Sequence, residues 1–572
     1  MYALRLGLLL LFLTGMVLAQ GMDVTGRVSL RVFNIDYDET SDLNPDSSDY
    51  GKATLIPGWQ QYLNMAIFAR TSKLDISLLG DIRNDKWSPL DSYKNVDRLT
   101  LSARFSGHEI VLGDYFESGS ELYVFSRDIR GTKLDFLFED LWNRRAYLQT
   151  RVLGGLLQRA VEEGEHLPTL YKQRANSGLY RRYFGSAEIE LGERGKYSLG
   201  LKYLYAKDDS LSIVRSVNSP LLSQNAGANA ALYLWKEHIK LFAEGYTSRK
   251  DTLDANRAED YAYKGGFDLR LDRVKLLAFY QRLGFDYYTA GNPFLLNDWQ
   301  GFKLLGAVEF VKGLTMDLEG QQYENNLKKF DYLPTTKTRI AAVGLSTNYA
   351  KLPDISIRWR FQDELSNDVF DEDGNLTKTD KISRTFDATL GYSTGNHRIS
   401  FSGIFVNLDD RSLVFGDSTL GTEQMVLSFN FFTRPSDLLF LSGGAVYSTL
   451  LMTGGERNKN LVVYESSRWD IIPMKLKFET LINYILNKAE GGTGYNDLLS
   501  NYNHLVVEVS LEYFFSPHIS FKVLGGSDGR TMDYSKKEAL EVINDPNYGP
   551  MYFNGYETYS GYKYGAELNW IF

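Results

Sequence analysis

The last residues of the chain, 562–572, read Tyr-Lys-Tyr-Gly-Ala-Glu-Leu-Asn-Trp-Ile-Phe, with apolar and polar side chains in alternation. Counting back from the end, every second residue is apolar: Phe572, Trp570, Leu568, Ala566, Tyr564 and Tyr562. Lys563, Glu567 and Asn569 lie between them. A period of two puts successive side chains on opposite faces of a β-strand, so the stretch predicts a strand with one apolar and one polar face.

An aromatic residue at the very C terminus is unusual for a soluble protein, whose chain ends commonly fray. It fits a strand that closes a barrel, with an apolar face toward lipid and an aromatic girdle at its end. An edge strand of a soluble β-sandwich is the alternative. The stretch resembles the C-terminal assembly signal of Gram-negative outer-membrane β-barrels, at Tyr564, Leu568, Trp570 and Phe572. The resemblance implies the barrel-assembly machinery as a partner.

The N-terminal residues have the pattern of a secretory signal peptide. Arg5 precedes the apolar run 6–13, and Val17-Leu18-Ala19 supplies a small residue for cleavage. The apolar core is too short to cross a bilayer. We therefore expect cleavage after Ala19, with residues 20–572 forming the barrel; an uncleaved anchor is the alternative.

Composition is consistent with a membrane barrel. The chain carries 38 Tyr, 33 Phe and 50 Gly, and aromatic residues make up 14% of it. After residue 19, no run of about 18 apolar residues predicts a transmembrane helix. There is no Cys, which excludes disulfides and thiolate metal sites, and the net charge of −9 argues against a nucleic-acid partner.

From residue 24 onward the chain divides into about 26 strands of about ten residues. After every even-numbered strand the link is short, as at Lys236-Glu237, whereas the links after odd-numbered strands are usually long and polar, as at 527–557. Tight turns on one side and long loops on the other are typical of hairpins in an outer-membrane barrel. The sequence therefore predicts an all-β fold: a single transmembrane antiparallel up-and-down β-barrel of about 26 strands (24–28), with both chain ends on the periplasmic side.

Aromatic residues beside the short links predict a girdle at the membrane–water interface, as with Trp235, Trp469 and Trp142. A charge on the lipid face costs about 2–4 kcal/mol, so charged residues that alternate with apolar ones are predicted to face the lumen. These candidate lumen-lining residues are Arg27, Arg31, Asp317, Glu319, Arg358, Arg360, Lys475, Lys477, Glu508 and Glu512. For any one of them, a solvated inner wall without a particular ligand is the simpler interpretation.

Two links are candidates for narrowing the lumen, because a barrel of about 26 strands is wide if empty. Residues 115–130 or residues 154–182 are predicted to fold inward as a constriction. The basic residues that would form it in the second link are Arg159, Lys172, Arg174, Arg181 and Arg182. An ordinary surface loop is the alternative for each link.

Two short motifs resemble segments of large outer-membrane barrels of unknown function that have no N-terminal plug domain. One is Gly113-Asp114-Tyr115-Phe116 with Arg130-Gly131-Thr132-Lys133, and the other is Gly291-Asn292-Pro293-Phe294 with Asn297-Asp298. The resemblance implies a porin-like barrel and supplies no activity. Gly-Asp before a link and Asn-Pro within one are also turn chemistry, so neither motif is predicted to be a site.

Enzyme chemistry finds little support. The six His residues have no metal-ligand spacing, and the chain has no Gly-x-Ser-x-Gly elbow and no phosphate-binding loop. Acidic loops such as 371–375 lack the spacing of an EF-hand, so solvated surface is their default interpretation. We therefore expect no enzyme activity, no cofactor and no metal.

The leading functional hypothesis is a channel in the outer membrane of a Gram-negative bacterium, which passes a solute or a polymer through a polar lumen. Selectivity is then expected from the charges of the lumen. A structural or accessory barrel that binds a periplasmic or surface partner is one alternative, and an outer-membrane hydrolase is another. The expected partners are outer-membrane lipid, lipopolysaccharide and the barrel-assembly machinery, with no nucleic acid.

Overall fold

A computed structural model gives the fold. The described residues are 22–41, 58–84, 96–141, 145–163, 177–214, 216, 218–252, 257–349, 352–370, 374, 376–412, 420–452, 457–490, 502–533, 543–545, 549–551 and 556–572. The predicted signal peptide and Trp142 lie outside them. Among these residues, no helix is long and apolar enough to cross a membrane.

The wall of the molecule is one antiparallel sheet of 26 strands. Its strands are β1 (Asp23–Ser41), β2 (Gly58–Arg70), β3 (Leu74–Asn84), β4 (Val96–Phe105), β5 (His108–Glu117), β6 (Arg127–Glu139), β7 (Ala146–Gln158), β8 (Arg181–Glu193), β9 (Tyr197–Asp209), β10 (Leu221–Leu234), β11 (Ile239–Thr252), β12 (Arg257–Arg270), β13 (Val274–Leu283), β14 (Trp299–Val311), β15 (Leu314–Asn325), β16 (Thr336–Thr347), β17 (Asp354–Ser366), β20 (Asp380–Thr394), β21 (His397–Asp410), β22 (Leu420–Ser436), β23 (Leu439–Met452), β24 (Arg457–Ile472), β25 (Leu476–Glu490), β26 (Tyr502–Ser516), β27 (Ile519–Asp533) and β30 (Tyr556–Ile571). Two small hairpins lie in long links, β18 (Val369–Phe370) with β19 (Leu376–Thr377) and β28 (Ile543–Asp545) with β29 (Gly549–Met551).

The sheet closes on itself because β1 pairs with both β2 and β30. The closing seam runs over 15 residue pairs, from Arg27↔Ile571 to Ser41↔Glu557. At its end, the Gly26 N–H donates to the Phe572 carbonyl at 2.8 Å. The other wall strands pair with their neighbours in chain order, so the predicted up-and-down barrel of 26 strands is confirmed.

Short and long links lie at opposite ends of the barrel. Residues 194–196, 271–273 and 517–518 are tight turns at the end that carries Gly26 and Phe572. Residues 118–126 and 284–298 are links at the other end. The links that are long enough to fold into the lumen therefore lie at this end of the barrel.

Side chains alternate between the outer and inner faces of the wall, as the pleat of a strand requires. In β17, Ile355, Ile357 and Trp359 are 42%, 43% and 44% exposed on the outer face. Arg358 precedes Trp359 and Arg360 follows it, so both occupy the inner face. Similar rows of exposed apolar residues recur around the outside of the barrel, which is why the strands read as alternating patterns in the sequence.

Aromatic residues mark both ends of the outer face. Trp235 and Trp469 are exposed beside the tight turns. Toward the long links, Trp59 and Tyr564 are exposed and contact each other edge to face, with ring centres 6.1 Å apart. Aromatic rings at two levels of an apolar surface are typical of a membrane barrel.

Candidate functional site

Two links fold against the inner face of the wall and pack together. We call residues 118–126 the first inner segment, residues 284–298 the second inner segment, and the two together the partition. Leu122 and Tyr123 are 0% exposed, and Val124 and Tyr287 are 1% exposed. Such complete burial is that of a soluble protein core, and it lies inside the barrel.

The two inner segments are joined through three consecutive carbonyl groups of the first. The Asn292 side chain donates to the Glu121 carbonyl at 2.7 Å, and the Thr289 hydroxyl donates to the Tyr123 carbonyl at 2.8 Å. Between them, the Tyr287 hydroxyl donates to the Leu122 carbonyl at 2.5 Å. Buried backbone carbonyls need hydrogen-bond donors. The second segment supplies these donors to the first segment and so fixes the path of its backbone.

Gly291 lets the two segments approach closely. The Phe125 N–H donates to the Gly291 carbonyl at 3.0 Å. A Cβ atom on Gly291 would lie 2.2 Å from the carbonyl oxygen of Tyr123, a distance that side chains do not tolerate. The second motif, Gly291-Asn292, is therefore the contact point of the partition and not only a turn.

Tyr123 anchors the first inner segment to the wall. Its hydroxyl lies 2.7 Å from the Ser186 hydroxyl and donates to the Tyr203 carbonyl at 2.7 Å. Its ring stacks on Tyr246 of β11 at 5.5 Å. Burial raises the pKa of Tyr123, so the hydroxyl stays protonated and able to donate.

The second inner segment is held by polar groups of β10, β11 and β12. The Asn225 side chain donates to the Tyr288 carbonyl at 2.8 Å, and the Tyr288 N–H donates to the Ser248 hydroxyl at 3.2 Å. The Asp286 N–H donates to the Asp260 carboxylate at 3.0 Å. Both segments are thus fixed to the same part of the wall, β8–β13.

Gly113, in the first motif, marks the point where β5 separates from β4. Six residue pairs join these strands, and the last is Thr100↔Gly113. Gly113 has a φ of +103°, and a Cβ atom there would lie 1.8 Å from the Leu99 carbonyl oxygen, so a side chain is excluded. Beyond Gly113, β5 pairs with β6 alone and leads into the first inner segment.

Side chains replace the missing backbone ladder beyond Gly113. The Asp114 carboxylate accepts the Leu99 N–H at 2.8 Å and pairs with Arg130 at 2.5 Å. Arg130 in turn donates to the Val96 carbonyl at 2.9 Å. The Asp and Arg of the first motif therefore close the wall where the chain turns inward.

The opposite inner face is lined by ion pairs and not by a core. We call the inner face of β24–β27, β30 and β1 the charged face. Here Lys563 pairs with Glu508 at 2.8 Å, and Lys522 pairs with Glu479 at 2.6 Å. A cavity of about 680 Å³ opens onto these side chains. The charged face therefore borders space that water can fill.

Several predicted lumen residues meet on the charged face. Arg31 pairs with Glu567 at 2.9 Å, and Arg27 donates to Asn569 at 2.9 Å. Lys477 pairs with Glu512 at 3.1 Å, and Glu512 also accepts the Ser520 hydroxyl. β30, which forms the closing seam with β1, thus supplies Glu567 to the charged face. The sequence pattern had placed Glu567 only on the polar face of the last strand.

The other predicted lumen residues lie on β15 and β17. Arg358 pairs with Glu319, and Asp317 lines the same cavity of about 460 Å³. Arg360 donates to Gln362 at 2.9 Å. These side chains form a second polar patch, away from the partition.

Lys475 is not on a strand, contrary to its prediction as a lumen-lining residue. It lies in the exposed turn between β24 and β25, and its N–H donates to the Ile472 carbonyl at 3.0 Å. Met474 has a φ of +61°, which turns the chain before β25 begins at Leu476. The strand therefore starts two residues later than its alternating pattern indicates.

The predicted basic constriction is only partly within the described residues. Lys172 and Arg174 lie outside them. Arg182 pairs with the buried Asp208 at 2.7 Å on the inner face, and Arg181 lies 3.9 Å from Asp209. Arg159 lies after the end of β7, in the link itself. Of the three basic residues that the structure describes, Arg181 and Arg182 are thus each next to a carboxylate of β9.

At the C terminus, Tyr564, Leu568 and Trp570 are exposed on the outer face. Phe572 packs against the buried Met65 and Ile67. These positions are the ones that resemble an assembly signal. Within the described part of the chain, no group of three His, Asp or Glu side chains is arranged to hold a metal ion.

Sequence reasoning missed the second inner segment. Its Tyr287-Tyr288-Thr289-Ala290 stretch is apolar for a link, and Leu122-Tyr123-Val124-Phe125 in the first is likewise apolar. Two apolar links among polar ones are a signal that they bury each other. The two motifs were the visible part of that signal, because the halves of the first motif flank the stretch 122–125 and the second motif directly follows the stretch 287–290.

No family model matches the chain, and no curated protein matches it. Solved outer-membrane proteins are similar to it in fold. The siderophore receptor PirA from Pseudomonas aeruginosa is 9% identical, with a TM-score of 0.40, over 95% of this chain and 80% of that one. The copper transporter OprC is 10% identical, with a TM-score of 0.39, over 96% and 81%. The translocation pore of the P pilus usher PapC is 11% identical, with a TM-score of 0.31, over 95% and 99%. At these scores the likeness carries no argument about function.

Proposed function

We propose that this chain is an outer-membrane channel that passes a small polar solute along the charged face, beside the partition. The observation that carries the proposal is the unequal filling of the lumen. A dry core occupies the side of β8–β13, while the opposite side presents ion pairs to an open cavity. A fixed partition narrows a wide barrel to a selective path.

The outer face supports a membrane location. Its rows of exposed apolar side chains, with aromatic residues at both ends, would aggregate in water, and a closed barrel leaves no unpaired strand edge in lipid. The predicted signal peptide and assembly signal are consistent with the outer membrane. Lipid, lipopolysaccharide and the barrel-assembly machinery are partners within the same proposal.

Exposure of charged side chains supports passage of solute through the interior. The side chain of Arg31 is 43% exposed and that of Glu508 is also 43% exposed, although both lie on the inner face. Taking charged groups out of water costs on the order of several kcal/mol per ion even when they are paired. Water must therefore reach this face, and a hydrated solute can follow it. A small solute fits better than a polymer, because the partition is fixed by buried hydrogen bonds.

The decisive experiment is single-channel conductance of the refolded protein in a planar bilayer. The wild type is compared with a variant in which residues 119–125 are replaced by Gly-Ser-Gly. We expect a small, steady conductance from the wild type and a larger one from the variant, because the partition occupies part of the lumen. A matched Gly-Ser-Gly replacement of the turn 194–196 controls for damage to the barrel.

Silence from both folded barrels would contradict the channel. Folding is checked by heat-dependent gel mobility and by circular dichroism. A silent wild type together with a conducting variant would mean that the partition is a complete plug. Silence from both would favour an accessory barrel that acts through a binding partner.

A further inference from the structure

A third cavity lies at the long-link end of the partition. It has a volume of about 390 Å³ and is bordered by β8, β9, β11 and the second inner segment. Its polar lining includes Arg182, Asp208, Lys250 and Tyr288. It is separate from the charged face and lies where a solute entering from the long-link end would first meet the partition.

Asp208 adds no net negative charge to this cavity, because its carboxylate is already paired with Arg182. One carboxylate oxygen accepts from Arg182 Nε at 2.7 Å, and the other accepts from Arg182 Nη2 at 2.9 Å and from the Leu221 N–H at 3.0 Å. Asp208 is buried as well. This bidentate pair is a neutral unit, and its charge is spent within it.

Lys250 contributes a positive charge that no described carboxylate balances. Its Nζ lies 5.0 Å from the centre of the Tyr288 ring, a cation–π contact. Within the part of the chain that the structure describes, Lys250 has no ion pair. An ammonium held over an aromatic ring beside a cavity is positioned to meet a negative group.

Arg127 is a further cation near the cavity, although it is not part of the cavity lining. It lies on the inner face at the start of β6, close enough to Arg182 and Tyr288 to interact electrostatically with both. Its Nε is buried and makes no hydrogen bond among the described residues. An anion bound in the cavity would be attracted by Lys250 on its lining and, at longer range, by Arg127.

Tyr288 supplies a neutral donor. Its hydroxyl lies 3.5 Å from Arg182 Nη1, which donates to it, so its own proton remains free for another acceptor. Burial raises the pKa of Tyr288, which keeps that proton in place at neutral pH. An ammonium and a phenol on the lining of one small cavity, with the guanidinium of Arg127 nearby, form a site for an oxygen anion.

We propose that this cavity binds one compact oxyanion group, a carboxylate or a phosphate, carried by a soluble solute. The inference rests on the proposed function, because it names the class of solute that the channel takes. The side chains lie on the inner face of the wall, out of contact with the surrounding lipid, so a dissolved anion and not a lipid head group is the occupant.

The test is isothermal titration calorimetry of the folded full-length barrel, in detergent free of lipopolysaccharide, with inorganic phosphate and with succinate as probes. Lys250→Met keeps the aliphatic contact with Tyr288 and removes the charge, so we expect about tenfold weaker binding, the loss of one charge-assisted hydrogen bond. Tyr288→Phe keeps the ring and removes the donor, and about fivefold weaker binding is expected. Lys303→Met, a lysine on the inner face of β14 that does not line the cavity, is the control and should bind as the wild type does.

Three results would overturn the inference: no binding of either probe by the folded wild type, wild-type binding by Lys250→Met and Tyr288→Phe, or an equal loss in Lys303→Met. Displacement of phosphate by purified lipopolysaccharide at lower concentration than succinate requires would assign the cavity to a membrane phosphate and overturn the soluble occupant. Conductance separates the two proposals. Phosphate binding by a barrel that does not conduct would support the anion site and contradict the channel. Conduction by a barrel that does not bind phosphate would support the channel and contradict the anion site.

Discussion

The two sides of the lumen are built from the same kind of strand and filled in opposite ways. Against β8–β13, the partition forms a core in which Leu122 and Tyr123 have no exposed surface. On the charged face, Lys563–Glu508 and similar pairs border a cavity. Burying a large apolar side chain contributes about 1.5–3 kcal/mol, whereas an exposed ion pair contributes about 0–1 kcal/mol. The partition is therefore held in one position by its buried contacts. The charged side chains contribute little to stability, so their identities can be selected by the solute that passes.

The largest expected effect comes from removing the anchor of the partition. Tyr123→Ala deletes a fully buried aromatic ring and two hydrogen bonds. The free energy that holds the partition in place should therefore fall by about 3–5 kcal/mol, and the first inner segment should detach from the wall. Hydrogen exchange of residues 118–126 and single-channel conductance measure this, and both should rise. Tyr464→Ala is the matched change near the charged face, where Tyr464 is half-buried and bonded to Asn430, and its effect should be much smaller. Equal effects would contradict the difference between the two sides.

A smaller change tests the contact between the two inner segments. Gly291→Ala places a Cβ atom 2.2 Å from the Tyr123 carbonyl oxygen, and overpacking of this kind costs about 1–3 kcal/mol. We expect faster hydrogen exchange in both inner segments and unchanged exchange in β24–β27. Gly185→Ala is the control, because a Cβ atom there meets nothing within 4 Å. If Gly291→Ala left exchange as in the wild type, close contact would not be what joins the segments.

The next effect concerns the wall where β5 separates from β4. Arg130→Met removes the pair with Asp114 and the bond to the Val96 carbonyl, so we expect a loss of about 1–2 kcal/mol, since Arg130 is partly exposed. Hydrogen exchange should accelerate in β4 before it does so in β30. Arg104→Met, which removes an exposed pair with Glu109 where the backbone ladder is intact, is the control. Equal acceleration in both variants would show that the side chains at Gly113 do not replace the ladder.

The smallest effect on stability, with the clearest effect on conduction, is expected on the charged face. Lys522→Gln together with Lys563→Gln should change the free energy of unfolding by about 0–1 kcal/mol per pair. The reversal potential in a potassium chloride gradient should shift toward cation selectivity, because Glu479 and Glu508 lose their partners. Lys73→Gln, in an exposed turn, should leave the reversal potential unchanged. A large loss of stability without a shift in selectivity would make this face structural.

The wall could be predicted from the sequence because its signal is local. The alternation of Ile355, Ile357 and Trp359 with Arg358 fixes the two faces wherever the strand begins, and short links fix the hairpins. The start of β25 was misjudged because a turn residue, Met474, continues the alternating pattern. The same apolar residue that fits a lipid face also fits an exposed turn.

The partition could be predicted only in part. The apolar run around Tyr123 indicates a buried link, but its partner Tyr287 lies 165 residues from Leu122, the residue that it binds. Neither link has a sequence periodicity that indicates this contact. The charge of Arg182 was visible, but its pairing with Asp208 on the next strand depends on the register, which decides whether a basic residue lines a pore or neutralises a neighbour.

The closing seam sets the order in which the barrel can form. Arg27 and Asn569, which are bonded across it, are 542 residues apart in the chain. Bringing such distant residues together costs about 4 kcal/mol more chain entropy than closing a turn of about five residues. We therefore expect the hairpins to form first and to shorten the effective chain, with β1 and β30 meeting last. The 15 residue pairs of this seam offset a cost that no other junction in the wall has to meet.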